Sequence, residues 1–399
     1  MSQKINKSYM FVVLFLLASP ALSISGILGL GFFPNEKIAL ILVALSKNAW
    51  RYDLKQIRLF GFFCAFILTL LFIFQLLVGS GGLIRASINS IIIVASIPLY
   101  FSFLSAHPKY VLRVIFYIGV IQLVISLIQQ YFSLTFNYDM AGIYNNYPPQ
   151  ADYIFPIGET GFWYRTSGLF FESSGYGLFQ WLSIICALKI GIHNRLFGKL
   201  ILFVMLLEVI LNGALTGYLF AFGYFVTNFL VQFRNKKKLL KASLIFPSFL
   251  LFIYIIQSSS YYDFSGILTK ISAQFAFLYD DLYDYAFYNT SQPSRLSGMF
   301  ESLNTSLNSE HIMFGSGFSW INPTLDFYSL YIKAYGLTGF MCITLFILFL
   351  LRRAPLGYKV AVFFALSVNG HLSTAVNILI LSMPLVFFKI DESIKRSLN

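Results

Sequence analysis

The stretch LFGFFCAFILTLLFIFQLLV occupies residues 59–78 and contains no charged side chain. A helix needs about 20 mostly apolar residues to cross the hydrocarbon layer of a bilayer, and this stretch reaches that length by itself. The whole chain has the same character, since 58% of its 399 residues are hydrophobic and only 11% are charged. A soluble globular domain does not need so apolar a surface. We therefore predict an all-α polytopic membrane protein.

Eleven further stretches resemble this one, so we predict about twelve transmembrane helices in a single membrane domain, residues 1–399. The run 198–233 is long enough for one tilted helix, but LNGALTG in its middle supplies glycines for a tight hairpin, so we divide it. Lys4 and Lys7 precede the first apolar run, which we interpret as an uncleaved helix, with a cleaved signal peptide as the alternative. The other predicted spans are 9–27, 33–46, 83–104, 110–132, 170–190, 198–213, 214–233, 241–257, 325–350, 357–371 and 373–389.

The distribution of charge tests this count of spans. If both termini are cytoplasmic, the predicted inner segments carry 22 of the 28 Lys and Arg residues and only three acids. That is the positive-inside bias of a polytopic membrane protein. It also accounts for the net charge of +12, so no surface for nucleic acid is left over. The inner segments are 1–8, 47–58, 105–113, 189–199, 234–241, 352–359 and 389–399.

Two predicted outer loops are long, 133–169 and 258–324, and few basic residues lie in the outer half of the protein. Any anionic substrate that approaches from outside must use some of these cations. Glu36 and one of the cations, Lys37, stand at the predicted outer end of the short second span. The outer basic residues are Lys37, Arg85, Arg165, Lys270, Arg295 and Lys333.

Two loop segments share one pattern, RTSGLFFES at 165–173 and RLSGMFES at 295–302. In each, an arginine comes just before a glycine-containing turn beside the predicted outer surface, where a lipid-linked pyrophosphate would lie. The planar guanidinium of arginine makes paired charge-assisted hydrogen bonds to phosphate. Arg165 and Arg295 are therefore candidate pyrophosphate ligands. The alternative is that each arginine anchors its loop or extends to lipid headgroups.

Three other residues have side chains suited to acid–base or electrostatic chemistry. Glu172 could deprotonate a sugar hydroxyl or orient an arginine, although a carboxylate that only stabilises a helix start is equally consistent with its position. Glu208 lies in FVMLLEVILNG, where an intramembrane acid suggests a site, or else a structural partner for a neighbouring helix. His311 is the only histidine of the long outer loops and could act as a base, the alternative being a solvated histidine.

Several chemistries are excluded by missing motifs. GxxxxGK[ST], HExxH, CxxC, GxSxG and DxD do not occur in a usable context, which argues against nucleotide hydrolysis, zinc proteolysis and metal-dependent glycosyl transfer. The three cysteines, Cys64, Cys186 and Cys342, each lie in an apolar run and suit core positions. We expect no cofactor and no metal site.

The segment RTSGLFFESSGYGLF (165–179) and the late FGSGF…DFYSLYIKAYGLTGF (314–340) resemble the O-antigen polymerase (Wzy-type) family. The family's Arg-x-x-Gly-x-Phe-x-Glu-Pro-Ser is matched in type at Arg165, Gly168 and Glu172, with Ser173 in place of proline. The late segment is similar to a family pattern of glycines and one polar residue. Its matching positions are Gly315, Gly317, Asp326, Gly336 and Gly339.

This resemblance implies a GT-C-like fold and a glycosyl transfer on the periplasmic side of the inner membrane. The donor is a glycan on undecaprenyl pyrophosphate, the acceptor is a lipid-linked repeat unit, and a chain-length regulator protein is an expected partner. Arg165 and Arg295 would bind pyrophosphate, and Glu172 or His311 would act as the catalytic base. Arg85, Lys270, Glu208 and Asp326 are secondary candidates.

Two alternatives stay open. The related O-antigen ligases usually carry histidine at the position of Asp326, so the aspartate favours a polymerase over a ligase. A flippase for lipid-linked oligosaccharide belongs to a different class of protein, and it should have charged residues along a central path. Here the polar residues gather on one side and most spans lack charge in the middle, which favours an enzyme that works at one face.

Overall fold

The regular secondary structure of the described part of the chain is helical apart from one short antiparallel strand pair. In that pair, Pro156–Ile157 (β1) lies against Trp163–Tyr164 (β2). The all-helical class predicted from the sequence is confirmed to this extent. The computed structural model describes residues 7–20, 35–78, 84–136, 156–157, 163–164, 166, 168–170, 173–212, 215–232, 312–317, 327–368 and 374–398.

The helices follow the apolar runs of the sequence. In chain order they are α1 (Lys7–Ala18), α2 (Asn35–Leu45), α3 (Lys55–Leu77), α4 (Ile84–Leu104), α5 (Pro108–Phe136), α6 (Ser173–Lys189), α7 (Leu196–Asn212), α8 (Leu215–Gln232), α9 (Phe327–Leu351), α10 (Leu356–Val368), α11 (Ala375–Ser382) and α12 (Pro384–Leu398). Two short 3-10 turns, Lys47–Trp50 and Tyr52–Leu54, lead into α3. The predicted span 241–257 lies outside the described residues.

Among the described residues, four helices are long and apolar enough to cross a membrane, namely those covering Tyr52–Leu77, Ala86–Leu104, Pro108–Phe132 and Leu330–Leu351. The outward face of α3 shows the same character, because Leu59, Phe63 and Phe66 are each more than half exposed. A continuous row of exposed large apolar side chains suits contact with lipid and not with water. These helices support an integral membrane protein.

Four predicted spans differ from the observed helices. The first was predicted over 9–27, but α1 ends at Ala18 and the chain is not helical at Ser19. The sixth was predicted to begin at 170, but residues 168–170 are not helical and α6 begins at Ser173. The tenth is one apolar run, yet α9 is broken at Gly336, where φ is +66°. The last, 373–389, is divided between α11 and α12, with Pro384 starting the second helix because proline cannot donate a backbone hydrogen bond to the preceding turn. The predicted division of 198–233 agrees with α7 and α8.

Small residues let α8 pack closely against two neighbours. A Cβ on Gly223 would lie 3.0 Å from the Cα of Ala361 in α10, and one on Gly217 would lie 2.9 Å from the carbonyl carbon of Gly177 in α6. Helices in membranes associate through this kind of close backbone approach, since lipid tails are as apolar as the helix surfaces and provide no hydrophobic driving force. The helices around α8 therefore form a tight group.

Basic segments meet at one end of the bundle. The ammonium of Lys189 pairs with Asp391 at 2.5 Å, and Lys389 donates to the carbonyl of Ser105 at 2.8 Å. The hydroxyl of Tyr110 donates to the carbonyl of Lys7 at 2.9 Å. Four of the segments that the charge count groups as inner, 1–8, 105–113, 189–199 and 389–399, therefore lie at the same end of the helices.

Arg58 stabilises the turns that precede α3. Its guanidinium is 7% exposed and donates to the carbonyls of Ala49, Trp50 and Arg51 at 3.2, 3.2 and 2.6 Å. These carbonyls belong to the 3-10 turns and the link between them. One arginine thus holds the entry to α3 in place.

We expect Arg58→Met to lower the free energy of unfolding by about 2 kcal/mol, because it leaves buried carbonyls without a charged donor. The matched control is Arg51→Met, which removes a partly exposed ion pair with Asp53 and should cost at most about 1 kcal/mol. Thermal unfolding of the purified proteins in detergent measures both. Equal losses for the two variants would contradict the role given to Arg58.

Candidate functional site

A non-helical segment, residues 166 and 168–170, enters the bundle beside α5. Three polar side chains of α5 hold it, Gln122, Ser126 and Gln129, which we call the α5 polar stripe. Their spacing of four and then three residues puts all three on one face of the helix. Each is fully buried. Gln122 lies at the middle of α5, so the segment reaches deep into the bundle.

Backbone hydrogen bonds fix this segment residue by residue. Gln129 bonds both backbone groups of Gly168, accepting from its N–H at 3.0 Å and donating to its carbonyl at 3.1 Å. Gln122 accepts from the N–H of Leu169 at 2.7 Å and donates to the carbonyl of Ala18 at 2.6 Å. Non-helical backbone is tolerated at membrane depth where protein groups satisfy it in this way. The stripe therefore clamps the segment and ties it to the end of α1.

Glycine is required at position 168. The residue has φ +55°, and a Cβ there would collide with Gln122 and would lie 2.7 Å from the ring of Tyr176. The left-handed conformation turns the chain so that both of its backbone groups face Gln129. The glycine at position 168 of the sequence pattern is therefore explained by the local backbone conformation.

Glu208 of α7 supports the same segment from behind. Its side chain is 2% exposed, and its carboxylate accepts hydrogen bonds from Ser126 at 2.6 Å and from Tyr176 at 2.7 Å. Since Ser126 donates to Glu208, Thr166 is the donor in its 2.6 Å bond with Ser126. A chain of hydroxyls thus joins the carboxylate to the clamped segment. We call Glu208, Tyr176, Ser126 and Thr166 the Glu208 network.

A second non-helical feature is the break in α9. Residues 312–317, which we call the strap, lie against it. The N–H groups of Ser316 and Gly317 donate to the carbonyls of Lys333 and Ala334, at 2.9 and 3.1 Å. Beyond the break, the N–H of Leu337 donates to the carbonyl of Ile312 at 2.9 Å. The strap therefore satisfies the open backbone groups of both half-helices.

Side chains of α3 and α4 hold the broken helix and the strap. The amide of Gln75 donates to the carbonyls of Phe314 and Ala334, both at 2.7 Å, and so joins strap and helix. Tyr331 hydrogen-bonds to Ser90 at 2.8 Å, and Tyr335 donates to the carbonyl of Ser87 at 3.1 Å. The first half of α9 is thereby fixed to α4.

The two clamped features adjoin the residues singled out in the sequence. Arg165 directly precedes Thr166, Glu172 follows shortly after Phe170, and His311 directly precedes the strap. Of the remaining candidates, Arg85 belongs to the first turn of α4 and Glu208 is buried as described. The candidates that lie outside the described residues are Arg165, Glu172, Lys270, Arg295, His311 and Asp326.

The α5 polar stripe and Gln75 were not among the residues singled out in the sequence. A signal for the stripe was present, because polar residues at 122, 126 and 129 recur at helical spacing within an apolar span. Within the described ranges, no cluster of three or more His, Cys, Asp or Glu side chains could hold a metal ion. The arrangement is one of rigid backbone segments held by neutral polar side chains around a single buried carboxylate.

No protein-family profile matches the chain, and no curated protein matches it significantly.

Proposed function

We propose that the chain is an O-antigen polymerase, a glycosyltransferase of the bacterial inner membrane that joins undecaprenyl-pyrophosphate-linked repeat units on the periplasmic side. In this proposal the fold is GT-C-like, with about twelve spans and both termini in the cytoplasm. A second lipid-linked glycan is the acceptor, and a chain-length regulator is a partner. The set of hydrogen bonds that clamps residues 166 and 168–170 is the observation that carries the proposal.

The hydrogen bonds of the clamp support a glycosyltransferase, because glycosyl transfer needs charged groups that are fixed in position before the reaction. Electrostatic stabilisation of a leaving group costs least when the donors are fixed before the reaction. Thr166, Gly168 and Leu169 are each hydrogen-bonded to a buried side chain, so the described residues between Arg165 and Glu172 are held at three positions. A loop that merely connected two spans would not need this number of buried polar partners.

In the reaction that we propose, a hydroxyl oxygen of the acceptor sugar attacks the anomeric carbon of the donor glycan. The bond between that carbon and the pyrophosphate oxygen breaks, and the hydroxyl proton passes to Glu172 or His311. Undecaprenyl pyrophosphate leaves, and the guanidinium groups of Arg165 and Arg295 stabilise its charge. Glu208 contacts no reacting atom and acts indirectly, because its hydrogen-bond network holds Thr166 next to Arg165.

The location of the polar groups also favours an enzyme over a flippase. Ser126 of the Glu208 network lies sixteen residues beyond Tyr110, and Ser87, which binds the broken helix, lies eighteen residues before Ser105. At 1.5 Å per residue these groups are about 24–27 Å from the basic end of the bundle. A strain that lacks the gene should make single repeat units on the lipid A-core if the protein is a polymerase. Loss of all repeat units from the core would support a flippase or a ligase instead.

We expect Arg165→Ala and Arg295→Ala to abolish long glycan chains, and the lysine replacements to restore little, since a point charge lacks the paired donors of a guanidinium. The readout is the ladder of glycan lengths on a gel, with the amount of each variant measured through a tag. Arg51→Ala is the matched control, because it removes a cation that lies near Lys389 at the basic end of the bundle. Normal ladders from the two alanine variants at normal abundance would contradict the assignment.

A further inference from the structure

A cavity of about 110 Å³ lies between α2 and α4, apart from the segments described above. Its wall combines charged, amide and hydroxyl groups with aliphatic side chains, and Ile378 of α11 forms part of it. A volume of this size holds several water molecules, and water occupies cavities that offer polar partners. The polar residues of the wall are Glu36, Lys37, Asn89, Ser96 and Tyr100.

Packing places Glu36 well inside the helix bundle. The hydroxyl of Tyr100 donates to the backbone carbonyl of Glu36 at 2.8 Å. The α4 residues that line the cavity run from Asn89 to Tyr100, five to sixteen residues after Ile84, so they lie about 8–24 Å along the helix at 1.5 Å per residue. In addition, Asn35, which is 1% exposed, donates to the carbonyl of Ser19 at the end of α1. The start of α2 is therefore deep, although the sequence predicts that Glu36 stands at the outer end of a span.

Glu208, which is buried, and Glu36, which is partly buried, have different surroundings. The carboxylate of Glu208 accepts hydrogen bonds from Ser126 and Tyr176. Among the described residues, no other side chain donates to the carboxylate of Glu36 or forms an ion pair with it. A carboxylate at membrane depth that lacks such donors is unfavourable in its charged form unless water, a cation or a proton supplies the missing interaction.

We propose that Glu36 and the cavity around it form a proton-binding site inside the bilayer. The ligand is one exchangeable proton, carried to the carboxyl group by water in the cavity. The ionised form gains from the first turn of α2 and from Lys37, and the neutral form gains from burial. Because these effects oppose each other, the proton can both arrive and leave.

The groups that face Glu36 favour a proton over a metal cation. On α2 the neighbour is Lys37, whose ammonium lines the same cavity and repels a second cation. On α4 the titratable neighbour is Tyr100, whose hydroxyl is already donating to a carbonyl. From α11 the lining residue is the aliphatic Ile378. The proposal concerns this cavity alone and does not depend on glycan transfer.

Dicyclohexylcarbodiimide, an apolar reagent that attacks protonated carboxyl groups, tests the proposal. The carboxyl proton moves to a nitrogen of the carbodiimide while the carboxylate oxygen bonds to its central carbon, and the adduct rearranges to a stable N-acylurea without a leaving group. We expect mass spectrometry of the purified full-length protein to find this adduct on Glu36 at about pH 6. The adduct should decrease at least about tenfold by about pH 9, since only the protonated form reacts.

Three controls accompany this measurement. Glu36→Gln should remove the adduct from its peptide, and Glu208 should stay unlabelled because its carboxylate is held by hydroxyl donors. A water-soluble carbodiimide with an added amine should modify the half-exposed Glu392 and not Glu36.

Four results would overturn the proposal. These are an unlabelled Glu36 at every pH, labelling that does not change with pH, equal labelling of Glu36 by the water-soluble reagent, and suppression of labelling by sodium ions at constant pH. The last result would assign the cavity to a metal cation.

Discussion

The variant Gly336→Ala is expected to lose its folded state, whereas Gly191→Ala keeps it. Both glycines have positive φ, +66° and +76°, so alanine is strained at either position. The difference lies in the surrounding space. A Cβ on Gly336 would collide with the backbone carbonyl of Met313 and would lie 2.5 Å from the nitrogen of Phe314. A Cβ on Gly191 would meet only the flexible amide of Asn194, at 3.1 Å.

The collision of a Cβ on Gly336 costs much free energy, because the two groups that it meets, in Met313 and Phe314, belong to the backbone and cannot rotate away. Relief requires the strap to move away, and the open backbone groups at the break then lose their hydrogen bonds, among them the bond from Gly317 to Ala334 and the bond from Leu337 to Ile312. Unsatisfied backbone groups in an apolar interior each cost about 1–3 kcal/mol. We expect a total loss of at least about 4 kcal/mol for Gly336→Ala and about 1 kcal/mol for Gly191→Ala.

Size-exclusion chromatography and thermal unfolding in detergent measure both variants. Gly336→Ala should be recovered only as aggregate or at strongly reduced yield, and Gly191→Ala should elute as the native protein does with a slightly lower transition temperature. A Gly336→Ala protein that elutes and unfolds like Gly191→Ala would show that the strap does not lie against the break.

The positions of the helices could be predicted from the sequence, because a long apolar run excludes other structures at membrane depth. The division between α7 and α8 was also readable, since glycines interrupt the run there. Breaks of a helix inside an apolar run could not be predicted from the sequence in this way. The run around Gly336 contains no proline and only one nearby charge, Lys333, and the break depends on the strap, which comes from a separate segment of the chain.

The clamp on residues 166–170 shows the same limit. The pattern of Arg165, Gly168 and Glu172 predicts a candidate site in this segment, but it does not predict which side chains hydrogen-bond to the segment. Its partners, such as Gln122 and Glu208, come from helices that are remote in sequence. Burial of a polar side chain becomes visible only when the helices that surround it are known.

The Glu208 network gives the second large effect that we expect. In Glu208→Leu, the hydroxyls of Ser126 and Tyr176 lose their acceptor in a dry interior, and at about 1–3 kcal/mol for each unsatisfied group the free energy of unfolding falls by about 2–6 kcal/mol. Glu208→Gln should cost about 1–2 kcal/mol, because its amide oxygen can still accept from Ser126. The Tyr176 hydroxyl can then accept from the new amide as it already does from Gln180. The pair of variants separates the loss of an acceptor from the loss of charge.

The same change should loosen the segment that carries the proposed site. Thr166 is held through Ser126, so Glu208→Leu frees the residue next to Arg165. Protein rescued at low temperature should then make shorter glycan chains, and Glu208→Gln should make chains close to native length. A double-mutant cycle of Glu208→Gln with Tyr176→Phe, followed by thermal unfolding, should give a coupling energy of about 1 kcal/mol or more. Additive losses in that cycle would mean that the carboxylate and the phenol do not interact, and the network would then not extend to α6.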